Sequence, residues 1–156
     1  MLPHELCSRL SNASASRHRW VPFTPTKQHL SLLSLLLSQG FITSLSLGST
    51  STSSSTPPDP TTFTGTRISQ KRVWAELKYR QERPVLNKME LVSKPSRKVV
   101  LDKEELSRFV RGSRVKFVRG LGMGEVALVR SGQATWVEAR EAVRKGLGGE
   151  VVARVG

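Results

Sequence analysis

Cysteine and long apolar runs, which support disulfides and membrane insertion, are scarce in this chain. Its 156 residues include one cysteine, Cys7, so no intramolecular disulfide can form. We expect Cys7 to be a small buried hydrophobe. The longest apolar run, residues 30–37, is interrupted by serines and is far shorter than the ~20 residues that a membrane span needs. We therefore expect no membrane partner.

Motifs for catalysis and metal binding are also missing. The three histidines, His4, His18 and His29, lie in the first 29 residues without the spacing of a zinc motif. The glycine-rich run at 120–124 lacks the third glycine of a dinucleotide fingerprint, because Glu125 stands at that position. We therefore predict a protein that is not an enzyme, with no metal, no cofactor and no small-molecule substrate.

Positive charge is abundant. The chain has 25 Lys and Arg against 12 Asp and Glu, a net charge of +13, and residues 67–156 hold 21 of the basic and 10 of the acidic side chains. An excess of this size favours a polyanionic partner, because the fold must otherwise sustain its own repulsion. A basic protein without such a partner is one alternative. An anionic membrane is another, but it would favour a basic amphipathic helix that the sequence does not show.

The N-terminal part has the pattern of an α/β lobe over residues 1–79. Apolar periodicity predicts helices over residues 6–15 and from an N-cap at Thr24 to just before Gly40. The core-facing stripe of the second helix is predicted to be Leu30, Leu33 and Leu37, widened by Leu32 and Leu36. Extended patterns predict strands over residues 20–23, 41–47 and 73–79.

Residues 48–66 are rich in Ser, Thr, Pro and Gly and almost uncharged. Such a segment buries too little apolar surface to offset the entropy of ordering, so we predict a flexible insertion in a loop.

The C-terminal part, residues 85–156, reads as a β-rich lobe with a short helix, joined through a linker at 80–84. A helix is predicted over 103–110, capped by Asp102, and another over 138–145. Strands are predicted over residues 85–92, 99–101, 126–129 and 150–155. The predicted fold class is therefore α+β, with two small lobes.

Basic residues in this second lobe lie on predicted turns, interleaved with hydroxyls and glycines. Lys and Arg neutralise phosphates, while Ser hydroxyls and glycine amides reach sugars and base edges. RNA is favoured over DNA because no recognition helix is evident. The candidate RNA-binding residues are Lys94, Ser96, Arg97, Lys98, Arg111, Arg114, Lys116, Arg130, Ser131 and Gly132. Leu128 and Val129 are expected in the core, with the chain leaving it at Arg130.

Four segments resemble, in order, the family of small ribosomal subunit protein eight. Ala139-Arg140-Glu141-Ala142 followed by Gly146-Leu147-Gly148-Gly149-Glu150 is similar to its C-terminal end. Residues 8–12 resemble its first helix, 27–42 its second helix and strand, and 91–95 its strand and turn. The resemblance covers nearly the whole chain except residues 48–66.

The resemblance implies a structural constituent of the ribosomal small subunit with two lobes and no enzymatic activity. It also implies binding to the central domain of small-subunit ribosomal RNA early in assembly, beside neighbouring ribosomal proteins. The family's RNA-contacting Ser-Thr-Ser turn matches Arg130-Ser131-Gly132, which keeps only the middle hydroxyl, and Gly148 and Gly149 join the candidate RNA-binding residues. The altered turn and the insertion resemble mitochondrial versions, so a mitochondrial ribosome is expected. A non-ribosomal RNA-binding or RNA-chaperone factor is the alternative.

Overall fold

The structure is a computed structural model that describes residues 3–51, 56–132 and 135–156. The chain forms two compact units, one extending to Asn87 and the other comprising Lys88–Gly156. Both units combine helices with antiparallel strands, so the predicted α+β class is confirmed.

The first unit is built on a three-stranded antiparallel sheet in the order β1-β3-β2. Its elements are α1 (Pro3–Ala15), β1 (Trp20–Phe23), α2 (Lys27–Ser38), β2 (Ile42–Ser49), α3 (Thr61–Gly65), a 3-10 turn (Ile68–Gln70), β3 (Lys71–Leu77), β4 (Tyr79–Arg80) and β5 (Arg83–Pro84). The central strand β3 buries Val73, Trp74 and Ala75, as expected for a strand flanked by others on both sides.

Helix α1 packs its apolar face into this unit as the sequence predicts. Leu6 and Leu10 are fully buried, and Cys7 lies beside them with 1% of its surface exposed. Burial raises the pKa of the Cys7 thiol to about 12, because the thiolate would lose its hydration. Cys7 is therefore a buried neutral thiol, as predicted.

Helix α2 exists, and Leu32, Leu33 and Leu36 of its predicted stripe are fully buried, but Leu30 and Leu37 lie outside the buried face. The N-cap is Thr26, whose hydroxyl accepts from the His29 amide at 3.2 Å, rather than Thr24. Leu30 and Leu37 are 40% and 36% exposed. The buried face is instead rotated around the helix and consists of His29, Leu32, Leu33, Leu35 and Leu36.

The segment 48–66, predicted to be flexible, contains regular structure at both of its ends. Gly48 and Ser49 continue β2, pairing with Arg72 and Lys71 of β3, and α3 occupies the far end. Residues 52–55 of the predicted segment lie outside the described residues. The predicted linker at 80–84 is a short hairpin of β4 and β5.

The second unit is built on a five-stranded antiparallel sheet in the order β6-β10-β8-β9, with β7 also paired to β10. Its elements are β6 (Met89–Leu91), β7 (Val100–Leu101), α4 (Lys103–Val110), β8 (Val126–Ser131), β9 (Thr135–Glu138), α5 (Ala139–Arg144) and β10 (Gly149–Val155). The strand predicted over 85–92 shortens to β6, and β9 was not predicted.

The two helices of this unit complete its core. Helix α4 begins after Asp102 as predicted, in a capping box in which the Glu105 carboxylate accepts from the Asp102 amide at 3.0 Å. Leu106 and Phe109 of α4 are fully buried against Val129 of β8 and the rest of one continuous apolar cluster.

Candidate nucleic-acid interface

The turn after β6 presents four of the predicted RNA-binding residues to solvent. Lys94 and Arg97 close it by exchanging two backbone hydrogen bonds of 3.0 Å, and Lys94, Ser96, Arg97 and Lys98 are all exposed. The buried Ser93 anchors the turn to the sheet. Its hydroxyl donates to the Val151 carbonyl at 2.6 Å and accepts from the Val99 amide at 3.0 Å. The cations therefore stand on a fixed backbone rather than on a loose loop.

The second basic stretch follows α4. Arg111 and Arg114 are exposed on it. Its backbone passes so close to Gly120 that a Cβ there would lie 2.2 Å from the Gly112 carbonyl oxygen, which requires glycine. Gly112 itself has a φ of +90°.

Lys116, predicted as a phosphate contact, is already engaged. Its ammonium lies 3.1 Å from the Glu105 carboxylate and donates to the Val100 carbonyl at 2.9 Å. The ion pair is partly exposed and therefore adds little to stability. It nevertheless makes the surface around Lys116 less positive than the sequence alone suggests.

Arg130 is also neutralised. Its guanidinium lies 2.5 Å from the Glu150 carboxylate on the neighbouring strand β10 and 6.0 Å from the Trp136 ring centre. The chain leaves the core at Arg130 as predicted, since Arg130 is only half-buried, but strand β8 continues to Ser131, two residues beyond its predicted end. Ser131 is half-buried, and Gly132 is exposed with a φ of +68°. Leu128 and Val129 are fully buried, as predicted.

Gly148 and Gly149 have a packing reason to be glycine. A Cβ at Gly148 would lie 2.8 Å from the Leu101 carbonyl oxygen, and one at Gly149 would lie 2.5 Å from that of Arg130. Close packing thus requires glycine at both positions. The backbone of both residues is half-exposed and remains open to contact with a partner.

A buried charge cluster holds the 119–125 segment against β10. The Arg154 guanidinium donates to the carbonyls of Arg119 and Gly120 at 3.1 and 3.0 Å and pairs with Glu125. Burial acts to raise the pKa of Glu125. Hydrogen bonds from Arg154 and the Gly122 amide outweigh that effect and hold the pKa below its ordinary value.

The predicted cations fall into two classes. Lys116 and Arg130 are paired with carboxylates. The others have no carboxylate partner within 4.0 Å among residues 3–51, 56–132 and 135–156. These unpaired cations are Lys94, Arg97, Lys98, Arg111 and Arg114, called the free-cation set below.

Two negative findings apply to the part of the chain that the structure describes. No helix there is long and apolar enough to cross a membrane. No group of three or more His, Cys, Asp or Glu side chains there is arranged to hold a metal ion.

The family model described as Ribosomal protein S8 matches residues 4–155. The chain belongs to the ribosomal protein S8 family. It is 35% identical over 158 residues to small ribosomal subunit protein uS8m of Neurospora crassa, covering 96% of this chain and 94% of the relative. It is also 35% identical over 154 residues to the uS8m of Schizosaccharomyces pombe, covering 97% of each. The uS8 of the bacterium Dictyoglomus thermophilum is 27% identical over 151 residues, covering 97% of this chain and 93% of the relative.

Membership in the S8 family confirms the resemblance that the four segments suggested. S8 proteins are structural components of the ribosome and not enzymes, so this chain is a structural ribosomal protein. The match spans both units, including the residues that surround the predicted insertion.

One exposed residue of this S8 protein, Phe117, was not predicted from the sequence to belong to the interface. Phe117 is 46% exposed, and the Arg97 guanidinium lies 3.7 Å from its ring centre. This contact joins the turn after β6 to the stretch after α4. The available signal was an aromatic residue directly after Lys116 and two residues before Arg119, in a chain with few aromatics.

Proposed function

We propose that this protein is a structural constituent of the mitochondrial ribosomal small subunit and binds the central domain of small-subunit ribosomal RNA. In this role it supports subunit assembly and translation beside neighbouring ribosomal proteins. Two relatives named uS8m support the mitochondrial location. The observation that carries RNA binding is the free-cation set, which lies on turns of one unit.

The free-cation set suits a phosphate backbone for electrostatic reasons. Each unpaired Lys or Arg that reaches a phosphate releases condensed counterions, and this gain is not offset by breaking an existing ion pair. Ser96 adds a hydroxyl within the same exposed turn. Gly132 adds an exposed backbone amide at the end of β8. We propose Arg130, Ser131, Lys116, Gly148 and Gly149 as secondary contacts, because ion pairing or packing already occupies most of them.

The test is co-sedimentation followed by RNA mapping. The tagged full chain should travel with small subunits in a high-magnesium sucrose gradient. Crosslinking and sequencing of its bound RNA should return the central domain. A chain with Lys94, Lys98 and Arg111 all changed to Glu is the matched variant and should shift toward the top of the gradient.

The alternative, a non-ribosomal RNA-binding or chaperone factor, gives the opposite pattern. Such a protein would stay at the top of the gradient in its unmodified form and would crosslink to many transcripts.

A further inference from the structure

Phe117 is an exposed aromatic ring held in a defined position. Nearly half of its surface is accessible, yet Arg97 covers one region of it with a guanidinium 3.7 Å from the ring centre. That distance is well inside the range of a cation–π contact. The turn that carries Phe117 is closed by two backbone hydrogen bonds between Val115 and Val118, of 3.1 and 2.9 Å. The ring is therefore presented to solvent in one orientation at little further entropic cost.

A groove of about 450 Å³ lies beside this ring within the second unit. Its apolar wall includes Phe117, Leu91 and Val92. Its polar wall holds three cations and one carboxylate, namely Lys88, Arg119, Arg154 and Glu90. Phe117 lines the groove and Arg97 does not. The volume lies within the roughly 300–1,000 Å³ typical of sites for small organic ligands.

The cations of the groove can turn toward a ligand. Lys88 pairs with Glu90 at 3.3 Å and Arg119 pairs with Glu125 at 3.2 Å, but the two cationic side chains are 69% and 72% exposed. Ion pairs that exposed contribute little to stability, so a stronger acceptor can replace the carboxylate. The backbone beneath is fixed, because the buried Arg154 donates to the Arg119 carbonyl at 3.1 Å.

We propose that this groove binds one unpaired nucleotide of RNA, with its base stacked on Phe117 and its phosphates on Arg119 and Lys88. The proposal rests on the RNA-binding function proposed above and names the part of the RNA that this site takes. Every base has a π-face, so an aromatic platform beside cations suits a flipped-out or bulged nucleotide of any sequence. A paired base cannot enter, because its faces are covered by neighbouring base pairs.

The experiment uses the full chain and two RNA hairpins with the same stem. One hairpin carries a single bulged 2-aminopurine, and the other is fully paired. The parent chain should bind the bulged hairpin more tightly and should quench the 2-aminopurine fluorescence by stacking. Phe117→Leu keeps an apolar side chain of similar bulk but lacks the flat ring. It should weaken binding of the bulged hairpin about tenfold, leave the paired hairpin unchanged and abolish the quenching.

Two further variants control for folding and for general apolar exposure. Phe117→Trp keeps a ring and should retain both the affinity and the quenching. Met123→Ala truncates a fully exposed apolar side chain of the same unit that does not line the groove. It should behave as the parent does. Thermal melting of each variant verifies that the second unit stays folded.

Three results would overturn the proposal. The first is undiminished binding of the bulged hairpin by Phe117→Leu. The second is an equal loss on both hairpins, which would make Phe117 part of backbone binding. The third is loss of the 2-aminopurine quenching on addition of an acidic peptide but not on addition of the same bulged hairpin without 2-aminopurine. That result would assign the groove to a protein tail. If the parent binds neither hairpin and fails to sediment with small subunits, the proposed function itself fails.

Discussion

Lys98 and Arg130 are cations of the same unit, but only Lys98 belongs to the free-cation set. Lys98→Glu should weaken RNA binding roughly tenfold at low salt, because it reverses a charge that faces phosphate. It should change the free energy of unfolding by less than about 0.5 kcal/mol. Arg130→Glu places a carboxylate beside Glu150, whose side chain is 13% exposed, and should lower the free energy of unfolding by about 3 kcal/mol. Filter binding and urea denaturation of both variants check this.

The opposite ranking of these two variants would contradict the division into paired and free cations. Arg130→Gln is the milder companion, because it removes the charge without adding a second carboxylate.

Glu125 makes the second unit sensitive to acid. Its pKa in the folded protein lies below the ordinary value of 4.5, so its contribution to stability is fully present above that value. The contribution is lost as the pH falls through the depressed pKa of the folded state. The free energy of unfolding, measured by denaturation between pH 7 and 3, should therefore decline below pH 4.5.

Glu125→Gln provides the control for this pH dependence. It should be less stable than the parent at pH 7, because Arg154 is left without its charge partner. It should also lose part of the decline in acid. A variant whose acid profile overlays that of the parent would show that other carboxylates cause the decline.

The pairing state of these side chains could not be predicted from the sequence. Arg130 and Glu150 are 20 positions apart, and their contact depends on the register between β8 and β10. The same holds for Arg97 and Phe117, which two separate turns bring together. The sequence predicted which residues are basic and on turns, but not which of them the fold neutralises.

Strand β8 lies between β10 and β9 and is the clearest test of the core. Leu128 on this strand is fully buried, so Leu128→Ala should lower the free energy of unfolding by about 2–5 kcal/mol. RNA affinity should then fall only in proportion to the unfolded fraction. Leu47→Ala is the matched control on strand β2, where the side chain is 41% exposed, and should cost less than about 1 kcal/mol.

A Leu128→Ala variant that stays as stable as the parent would contradict the packing of β8. A variant that is folded but no longer binds RNA would place Leu128 at the interface instead.

The junction between α5 and β10 gives a second test of how the strands pack. Gly149→Ala should lower the free energy of unfolding by about 1–3 kcal/mol, because the new methyl group meets the Arg130 carbonyl oxygen at 2.5 Å. Gly65→Ala is the control, since a Cβ at Gly65 meets nothing within 4 Å, and it should be neutral. Equal stability of the two variants would contradict the close approach of β10 to β8.

Elements with local signals were predictable. Helix α4 matches its predicted bounds because its Asp102 cap and its Leu106 and Phe109 spacing all lie within the helix. Helix α2 is different, because nearly every position of its middle is leucine, so periodicity could not select the face that the sheet covers. Strand β9 was not predicted because its four residues become a strand only through pairing with β8.

The two units share the positive charge more evenly than the division of the sequence at residue 66 suggests. With the boundary at Asn87, the first unit holds 10 basic and 4 acidic side chains and the second holds 15 and 8. Net charge therefore does not by itself assign RNA binding to one unit. The turns that carry the free-cation set, rather than the total charge, favour the second.

The size of the free-cation set predicts the salt dependence of RNA binding. Five phosphate contacts should give a slope of log affinity against log salt of roughly −4. Filter binding across a salt series measures it. Lys98→Ala should reduce the slope by about 1, whereas Leu47→Ala should leave it unchanged. A nearly flat line for the parent would contradict the electrostatic basis of binding.

The burial of Cys7 makes its thiol a chemical probe for opening of helix α1. Because the chain has a single thiol, and folding keeps that thiol protonated and covered, alkylating reagents can react only after helix α1 has opened. The rate of labelling by an excess of such a reagent should therefore report the rate at which the first unit opens. Opening of the second unit does not contribute, because that unit has no cysteine. Comparing the Cys7 labelling rate of the isolated chain with that of the assembled subunit would measure how much assembly slows the opening of α1.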